Sequence, residues 1–184
     1  IKVGNLPLTS INPHFWRSVT GSVMQESFIF SDTFAHNIAL DSDSLDETRL
    51  YQAAKMANID GFIRTLPLGY HTKIGMEGNG VSQGQRQRLL IARAIYKNPE
   101  YIFFDEATNA LDTTNESEIM HHLYEFYHGR TVVVAAHRLS TVKNADQIVV
   151  IDQGKVVEVG NHESLTAKRG AYYNLVKNQL ELGN

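Results

Sequence analysis

The chemistry in this chain is spelled out by a few short clusters. Asp105 and Glu106 stand together at the end of the apolar run Tyr101-Ile102-Phe103-Phe104. So short and continuous a run suits a strand covered on both faces. Residues at the carboxyl ends of strands in open α/β sheets face the ligand crevice, so adjacent acids there are placed to hold a metal or work on a water. The plainer alternative is a solvated acidic loop. His137 follows a second apolar run, Thr131 to Ala136, read as another buried parallel strand, and so falls at the same edge as the acids. Ser82-Gln83-Gly84-Gln85 is a small-residue turn ahead of a helical pattern. Unpaired N–H groups and the positive end of the helix dipole favour an anion at such a place, and phosphate is the natural guest.

The elements that must position these groups follow from the pattern around them. After the turn, Leu89, Leu90, Ala92, Ala94 and Ile95 lie broadly to one side of a helix, leaving Arg86, Arg88 and Arg93 to polar surroundings. Asn98-Pro99 stops that helix. Upstream, Asn12-Pro13 starts a short helix, and Thr20 to Met24 reads as a strand. Ser44-Leu45-Asp46-Glu47 is spelled as a capping box for a helix carrying Leu50, Ala53, Ala54 and Ala57, and a shorter helix covers Asp60 to Leu66 before Pro67. Downstream, Thr113-Thr114-Asn115-Glu116 opens a helix with Ile119, Leu123 and Phe126 on one face, ended by Gly129. Gln147 to Asp152 and Lys155 to Gly160 form a hairpin about Gly154, and Ala171, Leu175, Val176 and Leu180 support a closing helix.

Taken in order, these motifs resemble the nucleotide-binding domain of ABC (ATP-binding cassette) transporters. Ser82-Gln83-Gly84-Gln85-Arg86-Gln87-Arg88 is similar to the family signature, with Val81 for the usual Leu and Gln83 for the first Gly of the pair. Ile102-Phe103-Phe104-Asp105-Glu106 resembles Walker B with its catalytic glutamate, Asn109-Ala110-Leu111-Asp112 the D-loop, and Ala136-His137-Arg138-Leu139-Ser140 the H-loop. Val23-Met24-Gln25 with the following Phe28-Ile29-Phe30-Ser31 and Asn37-Ile38 is similar to the exporter Q-loop, and Thr72 to Gly80 to the exporter X-loop. Gly160 to Leu165 looks like the GxHxEL ending of exporter ATPases.

The resemblance implies an α/β fold of the P-loop NTPase type, a mostly parallel sheet with a helical subdomain. On that frame residues 1–40 are a partial core with the Q-loop, and 41–97 the helical subdomain with X-loop and signature. Residues 98–163 are the core with Walker B, D-loop and H-loop, and 164–184 a C-terminal helix. It also implies ATP and Mg²⁺ as ligands, with Asp105 and Gln25 at the metal. Glu106 would act on the attacking water, and His137 and Gln25 would complete the catalytic face. Ser82, Gln83, Gly84, Gln85 and Asp112 would meet nucleotide across a dimer interface with a second nucleotide-binding domain. The Q-loop and X-loop would meet transmembrane domains at the cytoplasmic face of the plasma (inner) membrane. The spelling around the signature and Walker B resembles bacterial peptide or bacteriocin exporters. A nonhydrolytic pairing module and a non-transport ABC ATPase stay open as alternatives.

Composition narrows the field. A formal net charge of −3 and a pI near 6.2 give no basic footprint for nucleic acid. The chain has no cysteine, hence neither a disulfide framework nor a thiolate site. Its apolar runs are too short to span a bilayer. No G-x-x-x-x-G-K-[ST] occurs in the 184 residues, and the only Gly-Lys pair, Gly154-Lys155, lies in the hairpin turn. The expectation is therefore an N-terminally truncated cassette that binds ATP weakly or not at all alone, within a parent that hydrolyses it.

Overall fold

The computed structural model describes residues 1–24, 27–40, 45–75, 80–105, 113–136 and 139–182. The chain divides into two compact units, Ile1–Val133 and Val134–Asn184.

The first unit opens with a small antiparallel hairpin, β1 (Lys2–Val3) and β2 (Leu6–Pro7), turned at Gly4 with φ +57°. Helix α1 (Pro13–Val19) starts where Asn12 predicts, its side-chain oxygen accepting from the His14 and Phe15 N–H groups. Strand β3 (Thr20–Val23) then lies parallel to β4 (Tyr101–Asp105), with Thr20 opposite Tyr101 and Val23 opposite Phe104. Strand β5 (Thr131–Ala135) completes the order β3-β4-β5. Gly21 is required by contact: a Cβ there would stand 2.7 Å from Pro99 Cγ.

Helices α2 (Phe34–Ala39), α3 (Glu47–Met56), α4 (Asp60–Thr65) and α5 (Gln83–Lys97) form the body beside this sheet, and α5 packs against α2, α3 and β3. Leu89, Leu90, Ala92, Ala94 and Ile95 of α5 are all buried, as their spacing requires. Asn98 ends the helix in the left-handed region at φ 55°. Helix α6 (Thr113–Tyr127) buries Ile119, Leu123 and Phe126, and Gly129 follows with φ +75°. Arg130 then ties the entries to β4 and β5 together, donating to Pro99 O at 3.1 Å and Asn98 Oδ1 at 2.7 Å.

Some expectations need correction. Helix α3 is capped by Asp46, whose carboxylate accepts from the Arg49 N–H at 3.0 Å, so the cap falls later than the Ser44 box would put it. An ionised carboxylate is at least as good a cap as a hydroxyl, and using it leaves Glu47 in the first turn. Strand β4 is fully closed only on its Ile102 and Phe104 face. Tyr101 and Phe103 are half-buried, with Tyr101 against Trp16 of α1. Strand β5 is not buried: its residues alternate between exposed and half-buried, and Val133 is 50% exposed. It stands last in the strand order, so only β4 pairs with it among the described residues.

The second unit contains α7 (Leu139–Val142), the antiparallel pair β6 (Ile148–Asp152) and β7 (Lys155–Gly160), α8 (His162–Lys168) and α9 (Ala171–Leu182). Gln153 and Gly154 both have positive φ, as a tight hairpin turn matching the strand twist demands. Its core is Ile148, Val150, Leu165 and Tyr172, with Val142, Ala171 and Val176 against it. Leu175, expected inside, is 57% exposed. Tyr172 is buried in the core instead, its hydroxyl hydrogen-bonded to Nδ1 of the half-buried His162 at 2.8 Å.

Candidate functional site

The signature turn is built as a capping box. Ser82 is the N-cap of α5, its hydroxyl oxygen accepting from the Gln85 N–H at 3.2 Å, while Gln85 Oε1 accepts from the Ser82 N–H at 2.8 Å. The sequence reading of a turn with unpaired N–H groups is therefore half right. The Ser82 and Gln85 amides are taken, which leaves Gln83 and Gly84 as the amides at the helix start that a phosphate could meet. Ser82 and Gln83 are exposed, and Gly84 and Gln85 are half-buried.

Asp105 ends β4 with an exposed side chain. Because β3 and β4 run parallel and in register, the chain after Val23 and the chain after Phe104 leave the sheet at one edge. An exposed carboxylate there suits a hard cation that keeps most of its water, as Mg²⁺ does. Gln25, Glu106, Asp112 and His137 lie outside the described residues, as do Met76 to Asn79 of the X-loop candidate. Among the described residues, then, only the Ser82–Gln85 group is brought together at one place.

The arginines of α5 do more than their pattern suggested. Their polar surroundings include main-chain carbonyls: Arg86 donates to Ser27 O at 3.1 Å and Arg88 to Asn58 O at 3.0 Å. Arg93 donates to Phe28 O at 2.9 Å, Asn37 O at 2.7 Å and Asn37 Oδ1 at 3.2 Å, with its guanidinium 5.5 Å from the Phe30 ring centroid. Burial pushes the Arg93 pKa down to about 10, leaving it charged at neutral pH. Asn37, read in the sequence only as part of the exporter Q-loop resemblance, is fully buried. The available signal was an amide set among Phe34, Ala35 and Ile38, where a polar group needs internal partners.

The segment just past position 25 also meets the start of the X-loop candidate. Ile74 N–H donates to Asp32 O at 2.9 Å, Phe34 N–H donates to Thr72 O at 3.2 Å, and Thr33 bridges Lys73. Phe28 and Phe30, packed edge to face at 5.1 Å, remain 55% and 46% exposed.

The family model described as ABC transporter matches residues 1–109. The chain belongs to the ABC transporter family. Curated ABC transporter relatives include the ATP-dependent lipid A-core flippase of Saccharophagus degradans, 47% identical over 97% of this chain and 30% of its own length. The multidrug resistance protein pgp-1 of Caenorhabditis elegans is 42% identical over 97% of this chain and 14% of its own. The toxin RTX-III translocation ATP-binding protein of Actinobacillus pleuropneumoniae is 45% identical over 95% of this chain and 24% of its own. Among solved structures, a bacterial Atm1-family ABC exporter with ATP bound superimposes with a TM-score of 0.90 at 39% identity, over 96% of this chain and 31% of that one. The chain thus spans about a third or less of the length of each of these relatives. The expected exporter type of nucleotide-binding domain and its α/β fold stand on these matches. No described helix is long and apolar enough to cross a membrane.

Proposed function

We propose that this chain is part of the ATP-hydrolysing domain of an exporter, inactive by itself because it carries no P-loop motif, and that the parent pairs with a second copy to drive transport through membrane-embedded domains. The observation that carries the reading is the 0.90 TM-score, at 39% identity, to an exporter chain solved with ATP bound. Mg-ATP supplies the γ-phosphoryl group to be transferred and the cation that neutralises its charge. Asp105, with Gln25, would hold that cation. Glu106 orients and polarises the attacking water, and His137 closes the same face. Ser82, Gln83, Gly84 and Gln85 meet nucleotide held by the partner copy, and Asp112 crosses the same interface. Such a reaction depends mostly on positioning and charge, so bringing the halves together switches it on.

The exposed Phe28–Phe30 pair and the pairing of Asp32–Phe34 with Thr72–Ile74 support a surface shared by the Q-loop and X-loop segments. On this reading that surface, with residues 41–97 as a helical subdomain, receives the transmembrane domains at the cytoplasmic face. The spelling of the signature and Walker B segments favours a peptide as cargo, and the toxin translocation protein among the relatives is in keeping with it.

The test is ATP hydrolysis by the full-length parent and its Glu106→Gln variant in lipid. The variant is expected to bind Mg-ATP, accumulate as a closed dimer and lose turnover. Hydrolysis retained above about a few per cent of wild type contradicts the role given to Glu106. Nucleotide-dependent pairing by a wild-type parent that never hydrolyses ATP points instead to a nonhydrolytic module.

A further inference from the structure

Residues Ser27 to Thr33 follow the Q-loop with no helix or regular strand of their own, apart from the single Thr33–Lys73 bridge, yet their main chain is held at Ser27, Phe28, Phe30, Asp32 and Thr33. Asn37 grips Phe30 as a neighbouring strand would. Its Oδ1 accepts from the Phe30 N–H at 2.8 Å, and its amide nitrogen donates to Phe30 O at 3.0 Å and Thr33 O at 3.0 Å. Arg93 braces Asn37 from α5 and reaches past it to Phe28 O, while Arg86 takes Ser27 O. Arg86 and Arg93 stand about two helical turns apart, on one face of the helix that begins at Ser82. A guanidinium is suited to this because its donors form a rigid planar fork, whereas an ammonium is a single point on a flexible stem.

We infer that Arg93, acting through Asn37, is a positioning residue that locks the Ser27–Thr33 segment to α5, so that the signature turn and the Phe28–Phe30 surface move as one body. The inference rests on the proposed reading, in which Ser82 meets the partner's nucleotide and the aromatic pair faces the membrane domains. Closure at one end of α5 is then delivered to the other surface without slack. Arg93 touches no nucleotide in this scheme.

The test uses the full-length protein with all other cysteines removed, this stretch having none, and spin labels at Phe28→Cys and Lys55→Cys. Lys55 lies on α3, which packs on α5. One narrow interlabel distance is expected, the same without nucleotide and with Mg²⁺ plus a non-hydrolysable ATP analogue. Arg93→Lys, which keeps the charge and loses the fork, is expected to broaden that distance in both states. It should also lower the kcat for ATP roughly 3- to 30-fold, with KM within about twofold of wild type. A wild-type distance that differs between the two states overturns the lock without any variant. An unbroadened distance in both Arg93→Lys and Asn37→Asp also overturns it. Should Arg93→Lys fail to fold, the wild-type comparison and Asn37→Asp decide. A parent that does not hydrolyse ATP removes the proposed function, while the label distances still judge the lock.

Discussion

Ser82 and Gln85 hold one another across the first turn of α5, the serine oxygen taking the Gln85 N–H at 3.2 Å and the glutamine oxygen taking the Ser82 N–H at 2.8 Å. The serine oxygen thereby accepts one bond, and its hydroxyl proton stays available to donate to an incoming phosphate. A cap and a ligand contact are compatible because they use opposite ends of the same O–H group.

Replacing either partner tests both jobs. Ser82→Ala and Gln85→Ala each break the box; Ser82→Ala, which removes the N-cap, is expected to lower stability by about 0.5–2 kcal/mol in denaturant melts of the parent, and Gln85→Ala by less. Both variants should also reduce hydrolysis in the partner's pocket, Ser82→Ala the more because it removes the hydroxyl offered to phosphate. Mixed dimers, with one mutant and one wild-type copy, report which pocket suffers, and damage confined to the mutant's own pocket contradicts the assignment.

For His137 the expectation concerns rate and not binding. His137→Ala in the parent should lower kcat by about 10²–10⁴-fold, the usual scale for losing a positioned proton-handling group. Affinity for a fluorescent ATP analogue should stay near wild type. Loss of binding with kcat unchanged would move His137 out of the catalytic face.

Where a segment's partners are its sequence neighbours, the chain could be read directly. The turn at Gly154, the stop at Asn98-Pro99 and the buried face of Ile119, Leu123 and Phe126 each depend on local spacing, and each is found as spelled. What escaped depends on distant partners. Arg93 is written as a polar-face residue, and only the fold shows that carbonyls from Phe28 and Asn37 supply its polar surroundings. Tyr172 is buried in the core instead of Leu175, its hydroxyl hydrogen-bonded to His162, which periodicity does not register. At the site the signature turn was legible as a helix start, but the reciprocal hold of Ser82 and Gln85 follows from side-chain conformation, which spacing only permits.

Gly160 offers a packing test in the second unit. A Cβ there would lie 2.6 Å from Ser164 Oγ and 3.0 Å from Leu165 Cγ, and Leu165 is fully buried. Gly160→Ala is expected to cost about 1–3 kcal/mol, because the start of α8 must shift to admit the methyl. Thermal melting measures it, and an unchanged midpoint would mean that the β7–α8 corner yields freely.

Asp60 gives the pH test. Burial pushes its carboxyl up, but the hydrogen bonds from Arg64 at 2.8 Å and the Tyr70 hydroxyl at 2.6 Å, with the arginine's charge, outweigh that and hold it below its ordinary value of 3.8. A carboxyl with a lower pKa in the folded state binds fewer protons there than in the unfolded chain at acid pH. Its stabilisation is therefore complete above 3.8 and drains away as pH falls through the folded value. Asp60→Asn cannot titrate and loses the charged partner of Arg64. Since the Arg64 side chain is 56% exposed, solvent screening keeps the expected difference near neutral pH to about 1 kcal/mol. Denaturant melts of wild type and variant should show that gap at about pH 7 and a smaller one at about pH 3, with Tyr70 and Arg64 unchanged in both proteins. A gap that holds constant through the acid range would mean the Asp60 carboxylate contributes shape alone, and its charge nothing, to the contact between α4 and Tyr70.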